Sequence, residues 1–210
     1  NESIIGQLIE SENVYSYFTS STFTTVPLRK VIYVNLYNIY VAVGDNGTIV
    51  TTSSPDNWTD IQTSGTTSDL NGVSYSNEVF GLYVAVGDNG VILTSYDAFT
   101  WSSVDSGTTL GLQSVIFVVD KFVIVGDLGI ILISTDGITW TTPQEFDNDY
   151  NFKTIALAGN DLKIVVAGDN GIIIESYDLG YNWSDVANII TTSNISDIIY
   201  DAINTQSFYM

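Results

Sequence analysis

The residues Gly44-Asp45-Asn46-Gly47 return as Gly87-Asp88-Asn89-Gly90, Gly126-Asp127-Leu128-Gly129 and Gly168-Asp169-Asn170-Gly171, at steps of 43, 39 and 42 residues. A chain with such a period stacks copies of one small unit that cannot bury its apolar face alone, and a period near 40 belongs to propeller blades and helical solenoids. The runs around the motif choose between the two. They are four to six residues long, rich in Val, Ile, Tyr and Thr, and closed at both ends by Gly, Asn, Asp or Ser, which is a strand signature.

The unit is legible at residues 70–107, where Leu70–Ser76, Leu82–Val86, Val91–Ser95 and Thr100–Asp105 read as four antiparallel strands. The same order is expected over Val31–Asn35, Tyr40–Val43, Thr48–Thr52 and Trp58–Thr63. It is expected again over Leu112–Val118, Phe122–Val125, Ile130–Ser134 and Thr139–Thr142, and over Lys153–Leu157, Lys163–Ala167, Ile172–Ser176 and Asn182–Val186. Inner runs such as Phe122-Val123-Ile124-Val125 do not alternate with polar residues, so both of their faces are covered, as in a blade held between two neighbours. Four-stranded antiparallel blades make the chain an all-β propeller.

Both ends read as half-blades. Gly6-Gln7-Leu8-Ile9-Glu10-Ser11 aligns with Gly171-Ile172-Ile173-Ile174-Glu175-Ser176, and Ile195–Tyr200 with Ser207–Met210 supply a first strand and most of a second. The expected organisation is one domain over residues 1–210. It comprises a half-blade at 1–27, blades at about 28–66, 67–109, 110–152 and 153–193, and a half-blade at 194–210. Pairing of the half-blades closes five blades into a ring without exposed edges; membership in a propeller of six to eight blades is the alternative. The most distinctive insertion is the loop Pro143–Asn151, with Glu145, Asp147 and Asp149.

Composition narrows the chemistry. Five Lys and Arg face 24 Asp and Glu, a net charge of −19, which repels phosphate backbones and anionic membranes and makes nucleic acid or membrane insertion a poor expectation. Histidine and cysteine are absent, removing the usual general base, disulfides and thiolate metal sites. Asp45, Asp88, Asp127 and Asp169 could form a cation-binding ring, but Asn-Gly is the strongest hairpin signal and repetition is explained by turn chemistry, with the carboxylate accepting N–H groups of its own turn. No catalytic, cofactor or metal residues are assigned.

After each Gly-Asp-x-Gly copy comes a second motif: Ser95-Tyr96-Asp97-Ala98-Phe99-Thr100-Trp101, Ser134-Thr135-Asp136-Gly137-Ile138-Thr139-Trp140, and Ser176-Tyr177-Asp178-Leu179-Gly180-Tyr181-Asn182-Trp183, with a degraded Ser54-Pro55-Asp56-Asn57-Trp58 in the first blade. These resemble Asp-box repeats of the BNR type, and together with Gly-Asp-x-Gly they resemble the photosystem II assembly factor-like propellers. In these turns Asp accepts backbone N–H groups, Ser adds a local hydroxyl bond, and Trp58, Trp101, Trp140 and Trp183 pack between blades. Sialidases of the wider Asp-box group need three arginines, and this chain has Arg29 alone. The resemblance implies a scaffold for a membrane-protein precursor, although the basic patch expected for that partner has no counterpart here. The expected function is a non-enzymatic interaction or structural module of a virion or cell surface, part of a larger assembly and contacting protein or glycan through its loops. The alternative is a glycan hydrolase with an Asp/Glu pair. Asn-x-Ser/Thr triplets at Asn1, Asn46, Asn57, Asn182 and Asn194 permit glycosylation in an extracellular setting.

Overall fold

The computed structural model describes residues 26–58, 60–76, 81–141, 144–145, 150–158, 163–185, 191–200 and 208–209. β1 (Leu28–Val34), β2 (Ile39–Gly44), β3 (Thr48–Thr52) and β4 (Asp60–Gln62) form an antiparallel sheet in that order. The same order recurs in β5 (Leu70–Tyr75), β6 (Tyr83–Gly87), β7 (Ile92–Ser95) and β8 (Ser102–Val104), and in β9 (Leu112–Val118), β10 (Lys121–Gly126), β11 (Ile130–Ser134) and β12 (Gln144–Glu145). A fourth copy is β13 (Phe152–Ala158), β14 (Lys163–Gly168), β15 (Ile173–Ser176) and β16 (Ser184–Asp185), followed by the pair β17 (Ile199–Tyr200) and β18 (Phe208–Tyr209). We number the four sheets blades 1 to 4. Their first strands neighbour one another in chain order, with β17 beside β13. The half-blade expected at 1–27 falls almost wholly outside the described residues, as does much of the acidic loop.

In blades 2 and 3 the unalternated strands are apolar on both faces because each face meets a different blade. Val41 and Val43 of β2 pack with Tyr83, Ala85 and Trp101 of blade 2, whereas Tyr40 and Ala42 pack with Val50 and Trp58 on the opposite side. Val84 and Val86 of blade 2 pack with Phe122 and Ile124 of blade 3. Val123 and Val125 in turn pack with Ile164 and Val166 of blade 4, and Val165 and Ala167 with Ile195 and Ile198. Burying each such Val or Ile side chain contributes about 1.5–3 kcal/mol, so the interfaces between blades dominate the core.

The outer strands differ from expectation. They begin later than Thr100, Thr139 and Asn182 because the amides of those three residues donate to Asp97, Asp136 and Asp178 and are lost to the ladder. In blade 3 the outer strand lies at Gln144–Glu145, paired with Ile131 and Ile130, rather than at Thr139–Thr142. In blade 1 the first strand starts at Leu28, three residues before the expected Val31.

In each Gly-Asp-x-Gly turn the third and fourth residues both have positive φ: Asn46 at 55° and Gly47 at 68°, Asn89 at 60° and Gly90 at 70°. The amide after the turn closes it by donating to the Asp carbonyl, Val91 to Asp88 for example, the geometry favoured in two-residue hairpins. Blade 3 places Leu128 there at φ 53°, with its side chain exposed. A leucine in the left-handed region is held against a steric cost that asparagine largely escapes. Leu128→Asn is therefore expected to stabilise the chain by about 1 kcal/mol in urea unfolding; an unchanged midpoint would remove the strain assigned to this turn.

Candidate functional site

The two glycines of each Gly-Asp-x-Gly copy are explained by backbone approach. A Cβ on Gly87 would collide with the carbonyl oxygen of Asp69 just before β5, and one on Gly90 with the carbonyl oxygen of Thr108 in the connection to blade 3. The Asp88 amide donates to that same Asp69 carbonyl at 2.9 Å, and the equivalents Asp45, Asp127 and Asp169 donate to Pro27, Gly111 and Asn151.

The carboxylates of these turns have other partners than the expected N–H groups of their own turn. The second residue of each first strand reaches them: Arg29 Nε donates to Asp45 at 2.5 Å, Asn71 to Asp88 at 2.8 Å and Gln113 to Asp127 at 3.0 Å. Lys153 lies 3.6 Å from Asp127 and 3.9 Å from Asp169, joining two blades. Arg29 also donates to Asn71 and Asp69 of blade 2, each at 2.6 Å, so its guanidinium is committed to architecture. The turn amides themselves point to the next blade: Asn46 donates to Asp69, Leu128 to Asn151 and Asn170 to Asn194. Gly111 stands at that position after blade 2 and offers no side chain. Among the described residues no group of three or more His, Cys, Asp or Glu is placed to hold a metal ion, and no helix is long and apolar enough to cross a membrane.

The Ser-x-Asp turns follow the local chemistry their residues suggest. Asp97 Oδ1 accepts from Ser95 Oγ, Phe99 N and Thr100 N at 2.7–2.9 Å, and Asp136 repeats this with Ser134, Ile138 and Thr139. These donors favour the charged form and hold both carboxyls below the usual Asp range; the amide of Asn182 does the same for Asp178, lowering it from 3.8 to about 2. The degraded copy in blade 1 needs realignment. Thr52 pairs with Tyr40 as Ser95 pairs with Tyr83, so Thr52 is the counterpart of Ser95 and Ser54 occupies the place of the Asp. The Thr52 hydroxyl donates to Ser54 O and accepts from Ser54 N.

Trp101, Trp140 and Trp183 pack at the interfaces between blades, as expected, and Trp58 packs on the outer side of blade 1. The Nε1 groups of Trp58, Trp101 and Trp183 donate to the carbonyls of Pro55, Ala98 and Gly180. Trp140 Nε1 is buried with no acceptor among the described residues. Of the Asn-x-Ser/Thr triplets, Asn182 donates its side-chain amide to Asp178 and Asn194 accepts from Asn170, so both side chains are engaged.

The described residues form an open concavity. Between blades 1 and 2 a groove of about 480 Å³ is lined by Tyr37, Asn38, Ile39, Thr51–Ser53 and Asp60 on one wall and by Tyr83, Tyr96, Asp97 and Phe99 on the other. Tyr37, Tyr96 and Phe99 are 56%, 71% and 51% exposed, so all three residues are accessible at the groove. Tyr83 is buried beneath them, and burial, with Tyr37 and Asp97 nearby, pushes its hydroxyl up to about 12. No residue of the sequence analysis was assigned to this groove. Its signal was the exposed aromatics flanking Asp97, which lie inside a motif whose tryptophan and aspartate both have structural roles.

No protein-family model matches the sequence, and no curated protein sequence is significantly similar to it. Solved structures are similar in fold. One described as YCF48 bound to D1 peptide aligns with a TM-score of 0.65 at 19% identity, over 89% of this chain and 61% of that one. YCF48 from Cyanidioschyzon merolae aligns with a TM-score of 0.67 at 16% identity, over 85% and 61%. The chain thus spans less than two thirds of these neighbours' length, and the likeness establishes a β-propeller fold.

The acidified turns carry a pH dependence. A carboxyl whose folded pKa lies below its unfolded value contributes stability above about pH 4 that is lost as pH falls toward 2. Asp136→Asn should lower stability at pH 7 by about 1 kcal/mol, the charged hydrogen bonds being discounted for exposure, and should flatten the loss below about pH 4. Urea unfolding across that range measures both, and an unaltered acid slope would refute the assignment.

Proposed function

We propose that this chain is a non-enzymatic binding module that engages an extended segment of a protein partner at the groove between blades 1 and 2. The observation that carries this reading is the groove itself. It exposes aromatic rings in a protein whose turn carboxylates, arginine and tryptophans are otherwise largely committed to holding the blades together. The propeller fold suits such a role, since it supports recognition at loops around a rigid scaffold, and a neighbour of the same fold is described as bound to a peptide. In this reading the chain is an acidic module of a larger assembly at a cell or virion surface, without a nucleic-acid partner. The hairpin β17–β18 and residues 1–27 complete a fifth blade, supported by the pairing of Ile199 with Tyr209 and by the likeness of Gly6–Ser11 to Gly171–Ser176.

A hydrolase reading has one observation in its favour, the two carboxylates Asp60 and Asp97 on the groove walls. Asp97 is ill suited to donate a proton, because three donors hold its Oδ1 and keep it ionised at neutral pH.

Selection from a displayed random-peptide library, with a parallel panel of aryl glycosides, separates the two readings. Peptides that bind the intact chain without glycoside turnover are expected. Turnover abolished in Asp97→Asn would replace the binding module with a hydrolase. The fifth blade is checked by removing residues 1–27: loss of a single cooperative unfolding transition is expected, and an unchanged transition would count against closure.

A further inference from the structure

We propose that the groove between blades 1 and 2 is a seat for a lysine or arginine side chain of the partner; this rests on the binding-module reading and names what the module recognises. The inference comes from comparing one position through the blades. Ile39, Leu82, Lys121 and Lys163 precede the first inward aromatic or aliphatic residue of the second strand, and the residues after them, Tyr40, Tyr83, Phe122 and Ile164, pair with Thr52, Ser95, Ser134 and Ser176.

In two cases this position supplies a lysine, and each ammonium lies over a tyrosine of blade 4. Lys121 Nζ is 4.2 Å from the centre of the Tyr181 ring and donates to its hydroxyl at 3.0 Å, with the lysine side chain only 5% exposed. Lys163 Nζ is 5.2 Å from the Tyr177 ring and pairs with Glu175. Counting back from Trp183 and Trp101, whose indoles donate to the equivalent carbonyls of Gly180 and Ala98, Tyr181 corresponds to Phe99. Counting forward from Ser176 and Ser95, Tyr177 corresponds to Tyr96.

Phe99 and Tyr96 therefore occupy the places of two rings that each carry an ammonium, yet neither has one. The position that would provide it is aliphatic at both seams of blade 2. Leu82 is 2% exposed and lies against Gly137 of blade 3. At the blade 1–2 seam Ile39, the counterpart of Lys121, brings no charge to Phe99, Leu82, the counterpart of Lys163, brings none to Tyr96, and no lysine or arginine is among the described residues that line the groove. What remains is two exposed aromatic faces with Asp97 and Asp60 on the walls, surroundings that attract a cation through ring quadrupole and charge. A net charge of −19 adds long-range attraction for a basic segment and none for a neutral sugar.

Fluorescence anisotropy with the full chain and a labelled Gly-Ser-Lys-Ser-Gly peptide, beside its acetyl-lysine and glutamate counterparts, tests the seat. Binding at low salt is expected, weaker by tenfold or more for acetyl-lysine and absent for glutamate. The double variant Tyr96→Ala, Phe99→Ala should lose at least tenfold while unfolding at the wild-type temperature, since both rings are exposed. Ile39→Lys should fill the seat from within and block the peptide; if that variant fails to fold, the double variant alone decides. Equal binding of the acetylated peptide, or binding unaffected by the double variant, overturns the cation seat and leaves a binding module that works elsewhere. Maltotriose binding lost in the double variant, with no lysine-peptide binding, assigns the groove to glycan. Failure of these peptides and of every library peptide to bind sinks the binding-module reading as well.

Discussion

The architecture depends on the close approach of backbone to backbone at the Gly-Asp-x-Gly turns. Each turn lies against the carbonyl that precedes its own first strand, while three of the four described turns present their final glycine to the carbonyl of a threonine in the following connection. At the four turns Asp45, Asp88, Asp127 and Asp169 donate their amides to the carbonyls of Pro27, Asp69, Gly111 and Asn151. A side chain at either glycine would force strands apart that are otherwise spaced by their own hydrogen bonds. The turn is thus a joint between units as well as a hairpin within one, which is why the motif recurs with so little variation.

The polar groups around these joints are consumed in the same task. Arg29 spans blades 1 and 2, Asn71 reaches both Asp88 and the Leu112 carbonyl of blade 3, and Lys153 sits between the carboxylates of blades 3 and 4. Each contact is partly exposed and individually weak, but each links neighbours in an array whose stability is a sum over units and interfaces. The same economy explains why a large excess of acidic residues coexists with almost no uncommitted basic ones.

Much of the fold was legible because period, strand length and turn residues agree with one another. The unalternated strands announced two covered faces, and Val84 and Ala85 show it by packing toward opposite neighbours. The outer strands were misplaced for a local reason: the aspartates of the second motif capture the amides of Thr100, Thr139 and Asn182, a competition between side chain and ladder that strand propensity does not register. Spacing from the tryptophan, rather than the Ser-x-Asp pattern, would have aligned Thr52 correctly. The groove was not legible at all, because it depends on which side chains meet across a seam between positions as far apart as Tyr37 and Phe99.

The position shared by Ile39, Leu82, Lys121 and Lys163 illustrates what repetition allows. In a single-copy domain, emptying a core-facing seat would leave a defect with nothing to compensate for it. Here one seam keeps an aliphatic plug, another a buried lysine, and a third stands open, while in all four described turns the aspartate amide donates to the carbonyl before its first strand. Division of labour among copies lets one of them drift toward a ligand as its siblings carry the framework, so the duplicated unit serves as its own insurance.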